Sequence, residues 1–227
     1  MFWKGLVSES IMPAIGCILL GYLVGGINPA YLVGKRKGFD IRHRGSGNAG
    51  ASNAVIVMGK KAGIFSALFD IFKAFLVASF AAQLFREMVY SKILAGVSCI
   101  MGHIFPAFMN FRGGKGLACL GGVILAYNWR LFVVMLLAEL LLVLLVDYIC
   151  IVPITASLAF PCIYAVHTGD DVGTLLLLGC AAVIFFKHVE NIRRIRNGTE
   201  AHFSFLWKRD EEIARLTEDS EEQTEVE

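Results

Sequence analysis

Residues 130–147 read RLFVVMLLAELLLVLLVD. Between Arg130 and Asp147 the run carries a single charge, Glu139. As an α-helix it would rise about 27 Å at 1.5 Å per residue, close to the ~30 Å hydrocarbon core of a bilayer. Extended or irregular backbone at that depth would leave N–H and C=O groups without partners, so the run reads as a transmembrane helix.

The pattern recurs on both sides. Candidate spans are 11–33, 62–84, 91–110, 114–127, 130–147, 149–167 and 172–187. The fourth is short and holds Gly116, Gly121 and Gly122; the sixth carries Pro153 and Pro161, which bend helices. With 56% hydrophobic residues, 18% charged residues and a mean hydropathy of +0.65, the chain is an all-α polytopic membrane protein of about seven transmembrane helices. The spans show no internal repeat, which gives no support to a carrier built from duplicated halves. The apolar run from Ile11 is read as a retained first span.

The net charge of +2 hides an asymmetry. Residues 208–227 hold nine acids against Lys208, Arg209 and Arg215, leaving a body of +8. We expect one integral membrane domain over 1–207 and an acidic, disordered cytoplasmic tail over 208–227. Cationic side chains cluster in the segments holding Lys35–Lys37, Lys60 and Lys61, Arg112 and Lys115, and Arg193–Arg196, whereas Asp170 and Asp171 fall on the other side. The positive-inside rule then puts the N-terminus outside and the C-terminus in the cytoplasm. No groove-reading pattern accompanies these cations, so nucleic acid is not an expected partner; anionic lipid head groups or phosphorylated substrates suit them. The six cysteines lie in or beside apolar segments without a C-x-x-C pair, so they read as buried small hydrophobes. No metal or cofactor is expected.

Three polar stretches fall on the cytoplasmic side. Residues 44–53, RGSGNAGASN, are too rich in glycine for a span. The stretch reads either as a Gly/Ser/Asn-rich connecting loop or as an anion nest, since glycines let backbone approach a ligand and successive N–H groups can surround it; Ser46 and Asn48 add side-chain donors. No G-K-S or G-K-T follows, so this is no P-loop. Residues 102–118, GHIFPAFMNFRGGKGLA, put Gly113, Gly114, Lys115 and Gly116 before an expected helix start, which reads either as a second anion site or as a positive-inside loop whose Lys115 snorkels to head groups. His103 reads either as a structural hydrogen-bonding residue or as a ligand. Residues 187–200, KHVENIRRIRNGTE, place His188 and Asn191 on one helix face, with Glu200 after a Gly-Thr turn. Inside the second span Asp70 and Lys73 lie three apart; each lone charge there would cost about 2.5–3.5 kcal/mol, and the pair neutralises itself.

Together these stretches resemble the acyl-phosphate-dependent glycerol-3-phosphate acyltransferases of bacterial membranes (the PlsY family). The first resembles D-I-R-x-x-G-S-G-N-x-G-A-T-N from Asp40 to Asn53, the second H-x-F-P-x-F-x-x-F-x-G-G-K-G-V-A-T from His103 to Cys119, and the third H-x-x-N-I-x-R-L-x-x-G-x-E from His188 to Glu200. A D-x-x-K pair also matches at Asp70 and Lys73. The resemblance implies a plasma-membrane enzyme with its site facing the cytoplasm. It implies transfer of a fatty acyl group from acyl phosphate to the 1-hydroxyl of glycerol 3-phosphate, giving lysophosphatidic acid and phosphate. Membrane lipid surrounds the site, and a soluble enzyme that makes acyl phosphate is an implied partner.

Acyl phosphate is already activated, so no covalent acyl-enzyme is required. We expect His188, Asn191, Glu200 and Ser46 to serve catalysis. Arg42, Gly45, Gly47, Asn48, Asn53, His103, Gly113, Gly114, Lys115 and Gly116 are expected to bind phosphate, with Asp70 and Lys73 behind them. Backbone N–H groups near Ser46 or Gly114 are expected to stabilise the oxyanion. The chain departs from the family pattern at Gly26, Ile56, Cys119, Cys150 and Pro153, which removes an arginine and several hydroxyls. A non-catalytic phosphate- or phospholipid-binding carrier or a regulatory paralogue is the alternative.

Overall fold

The structure, a computed structural model, describes residues 2–208. Residues 209–227, nearly all of the expected acidic tail, lie outside the described residues. The described chain has no strand; its α-helices are α1 (Phe2–Gly26), α2 (Pro29–Arg36), α3 (Ala51–Met58), α4 (Lys60–Leu84), α5 (Ser91–Ile104), α6 (Leu117–Tyr127), α7 (Trp129–Val146), α8 (Ile151–Thr168) and α9 (Asp171–Arg196). Six stretches are long and apolar enough to cross a membrane: Ile11–Arg36, Lys60–Leu84, Ser91–Met109, Trp129–Val146, Ile151–Thr168 and Asp171–Arg196. The expected fourth span is the short apolar α6.

Small residues let the helices approach closely, as helices in lipid require. Gly21 and Gly25 of α1 lie against the backbone of α5, where a Cβ would come within 2.3 Å of the Ala95 carbonyl and 2.1 Å of the Cys99 carbonyl. Gly102 of α5 faces the Tyr22 carbonyl in return. The central α5 is buried along most of its length. Helix α6 runs antiparallel beside it: Gly116 at its start touches Ile104, and the Ala126 carbonyl near its end accepts from Lys92 Nζ at 2.9 Å. Both helices are short, which is how 11 residues match their neighbour. By contrast α7 turns Val134, Leu137, Leu141 and Leu145 outward, a surface suited to lipid. Its lone acid, Glu139, accepts at 2.7 Å from the Thr155 hydroxyl of α8.

Two boundaries differ from expectation. Within the first apolar stretch, Ile11–Arg36, the helix is not continuous to residue 33: α1 ends at Gly26 and α2 begins at Pro29. Asn28 caps α2, its Oδ1 accepting from Tyr31 N at 2.8 Å, and Pro29 occupies the first helical position; both favour a new helix start. At the other end the helix runs past the expected span end at residue 187, because α9 continues to Arg196. It ends in a Schellman motif: Gly198 takes a φ of 73°, Gly198 N donates to the Ile195 carbonyl, and Thr199 N donates to that of Arg194.

Candidate active site

The glycine-rich stretch after α2 is held by one side chain. Asn53, fully buried in the first turn of α3, places Nδ2 within 2.8–3.1 Å of the carbonyls of Ile41, Arg44 and Asn48, while its Oδ1 accepts from Ser46 N at 2.9 Å. Asn28 adds a bond from Nδ2 to the Ala49 carbonyl. Gly45 and Gly47 have φ of 57° and 71°, and a Cβ on Gly45 would strike Asn53 Oδ1 at 2.3 Å. The Ser46 side chain is exposed and Asn48 is half-buried.

Arg42 ties this loop to the next. Its Nε and Nη2 donate to Asp40 at 3.0 and 2.8 Å, and Nη1 reaches the carbonyls of Met109 and Arg112. The hydrogen bond from Arg42 holds the Asp40 carboxyl well below the usual carboxylate range. A carboxylate with a depressed value contributes above its ordinary pKa and loses that contribution only as pH falls through the depressed one. The clamp therefore holds throughout neutral pH.

The second loop folds back over the end of α5. Gly113 N and Gly114 N each donate at 3.0 Å, to Ile104 O and His103 O. A Cβ on Gly113 would fall 2.0 Å from the His103 carbonyl, and one on Gly114 would fall 2.1 Å from His103 Nε2. Below them is a buried cluster. Lys73 Nζ lies 2.6 Å from Asp70 Oδ1, His103 Nδ1 lies 3.3 Å from that same oxygen, and Lys73 also donates to the carbonyls of Gly25 and Ile27 at the end of α1. The Asp70 oxygen, His103 and Cys119 lie near enough to hold a metal, but the Lys73 ammonium already supplies the cation there.

Several of the expected ligands already have partners inside the protein. His103 is 3% exposed and roofed by Gly114, a place that suits bracing the loop. Asn53 spends its amide inside its own loop. Arg42 spends its guanidinium on Asp40 and two carbonyls. The N–H groups of Ser46 and Gly114 are themselves taken by Asn53 Oδ1 and the His103 carbonyl.

The third stretch brings charges together. The Lys115 ammonium donates to Asn191 Oδ1. Asn191 Nδ2 donates to Glu200 Oε1 at 2.5 Å, and Arg194 Nε to Glu200 Oε2 at 2.6 Å. Burial first, then the charge of Arg194, holds Lys115 below the usual lysine range. His188, one turn before Asn191 and buried, has its Nδ1 2.8 Å from the Ile184 carbonyl. With Nδ1–H donating there, Nε2 is left as the acceptor.

Sequence reasoning missed one wall. The α7–α8 loop, Asp147–Cys150, is hydrogen-bonded to the segment after α9, and Cys150 lies near Glu200. The signal was Asp147 and Tyr148, a polar pair between two leucine-rich spans. Arg194 was read only as one of a cationic cluster suited to lipid head groups or phosphorylated substrates.

The sequence model of the glycerol-3-phosphate acyltransferase family matches residues 15–198. The glycerol-3-phosphate acyltransferase of Geobacillus kaustophilus is 42% identical over 195 residues, 85% of this chain and 97% of that one. That of Lactiplantibacillus plantarum is 34% identical over 210 residues, 90% of this chain and 100% of that one. The crystal structure of PlsY (YgiH), an integral membrane glycerol 3-phosphate acyltransferase, in its glycerol 3-phosphate form superposes with a TM-score of 0.79 at 31% identity, covering 85% of this chain and 96% of that one. The lysophosphatidic acid form gives a TM-score of 0.75.

Proposed function

The chain belongs to the glycerol-3-phosphate acyltransferase family, and we propose that it moves a fatty acyl group from acyl phosphate to the 1-hydroxyl of glycerol 3-phosphate. The observation that carries this reading is the linked set Lys115–Asn191–Glu200–Arg194 beside His188. Two cations held next to each other by one amide and one carboxylate suit a phosphate dianion. A neutral imidazole one helical turn away suits a hydroxyl that must lose its proton.

In the proposed reaction the substrate hydroxyl attacks the acyl carbon directly. The new C–O ester bond forms, the acyl C–O bond to phosphate breaks, and phosphate leaves with that electron pair. His188 Nε2 orients the hydroxyl and accepts its proton; a substrate phosphate oxygen is the other acceptor within the chemistry. Asn191 and Glu200 hold Lys115 and Arg194 in place, with the Ser46 hydroxyl, Asn48 and the open turns at Gly45 and Gly47 on the facing loop. Gly113, Gly114 and Gly116 serve through their lack of a side chain. Asp70 and Lys73 act from behind by fixing His103. A groove of about 430 Å³, lined by Ile27, Pro29, Leu32, Val33, Phe65 and Phe69 with Lys35 and Arg36 at its edge, suits a fatty chain with an anionic end. The site lies on the cytoplasmic side of a bacterial plasma membrane, within reach of a soluble enzyme that makes acyl phosphate.

The donor is tested by giving the purified protein, in lipid, glycerol 3-phosphate with either acyl phosphate or an acyl thioester. Lysophosphatidate from acyl phosphate alone is the expected result. Product from the thioester and none from acyl phosphate would overturn the donor assignment.

A further inference from the structure

The segment that follows Glu200 crosses the cytoplasmic end of the α7–α8 loop. Asp147, in the left-handed region with φ of 61°, receives three hydrogen bonds from it. Its carbonyl accepts from Phe203 N at 2.7 Å, Oδ1 from Ser204 N at 2.7 Å, and Oδ2 from the Ser204 hydroxyl at 2.8 Å. Beside them the Tyr148 and His202 rings lie 4.9 Å apart, with Tyr148 Oη 3.1 Å from His202 Nε2. Residues 201–207 thus form a strap, and they lie beyond the residues 15–198 matched by the family.

The strap bears on the site through its position. Glu200 sits immediately before it and joins Asn191 and Arg194. Cys150, three residues after Asp147, is 5% exposed and lies near Glu200. The α7–α8 loop is therefore tied through Asp147 to the residues that follow Glu200. Ser204 puts its backbone N–H and its hydroxyl on one carboxylate, so removing the hydroxyl takes one of the three bonds that tie the strap to the loop. We infer that Asp147 and Ser204 are positioning residues for the acceptor: by pinning strap to loop they hold Glu200, and through it Lys115 and Arg194, at the spacing that takes the glycerol 3-phosphate head. This rests on the acceptor assigned above.

The test uses the full-length protein and the variants Ser204→Ala, Ser204→Thr and Asp147→Asn. Asparagine tolerates the left-handed backbone, which preserves the turn. Ser204→Ala and Asp147→Asn should each raise the KM for glycerol 3-phosphate by about tenfold, the size of one lost hydrogen bond to a charged group. The KM for acyl phosphate should stay unchanged, and Ser204→Thr should restore the wild-type value. In parallel, modification of Cys150 by a small methanethiosulfonate, located by peptide mass, should be slow in wild type and Ser204→Thr and faster in the other two. Equal rises in both KM values, or unchanged KM and unchanged Cys150 modification, would overturn the inference. A wild-type protein that acylates no glycerol 3-phosphate would instead overturn the acceptor assignment, while Cys150 modification would still report whether the strap holds the loop.

Discussion

His188 owes its presentation to one backbone contact. Its ring nitrogen on the Ile184 carbonyl fixes the tautomer, and the helix spacing that put it beside Asn191 was readable in H-x-x-N. A positioned base contributes about 10²–10⁴-fold. Replacing His188 with Ala is expected to lower kcat by that factor, and turnover near wild type would remove it from proton transfer. Lys115 carries a pH signature. Its pKa is held low by burial and by Arg194, and phosphate needs the protonated form. Affinity for glycerol 3-phosphate should therefore decline on the alkaline side earlier than for an ordinary lysine. The substitution Lys115→Arg keeps the charge and should move that decline to higher pH; a KM profile that coincides for the two proteins would rule Lys115 out as its origin. Single letters misled where their partners are distant in sequence. Nothing local reveals that Arg42 is spent on Met109 and Arg112, or that His103 meets Asp70 and Lys73.

The GGKG element works by close approach rather than by donating. Because its two N–H groups cap α5 and its first two glycines face His103, a methyl at Gly114 has no room without moving that ring. Overpacking of this kind costs about 1–3 kcal/mol. Gly114→Ala should lower both thermal stability and activity, whereas Gly179→Ala in α9, where a Cβ meets nothing within 4 Å, should leave both unchanged. Melting temperatures and initial rates of the two variants decide this; equal effects would show that the fold against His103 is not tight. The spans themselves were legible from hydropathy, since lipid imposes a helix on any long apolar run. Their ends were less so. The break at Asn28 and the continuation of α9 to Arg196 depend on capping and on packing that charge alone does not report. Glu139 had no reading until its neighbour Thr155 was seen across the α7–α8 interface.

At the scale of the whole molecule, short loops and one helix end meet at one end of a helical bundle, linked by Arg42, Lys115 and Glu200. Convergence of Gly-rich and basic stretches was readable once the spans were ordered; the strap across Asp147 was not, because its residues form no motif. The charge bias predicts that this end is cytoplasmic. Cysteines introduced at Lys37 and at Lys208 should both be modified only after an impermeant reagent gains access to the cytoplasmic side of cells; modification from outside would invert the topology. The central claim is direct acyl transfer to glycerol 3-phosphate. It is tested most directly by following phosphate release from acyl phosphate with the purified protein in lipid, first without acceptor and then with it. No phosphate burst should occur before glycerol 3-phosphate is added, and lysophosphatidate and phosphate should then appear in equal amounts. A burst of one phosphate per protein without acceptor, or phosphate released with no lysophosphatidate, would contradict it.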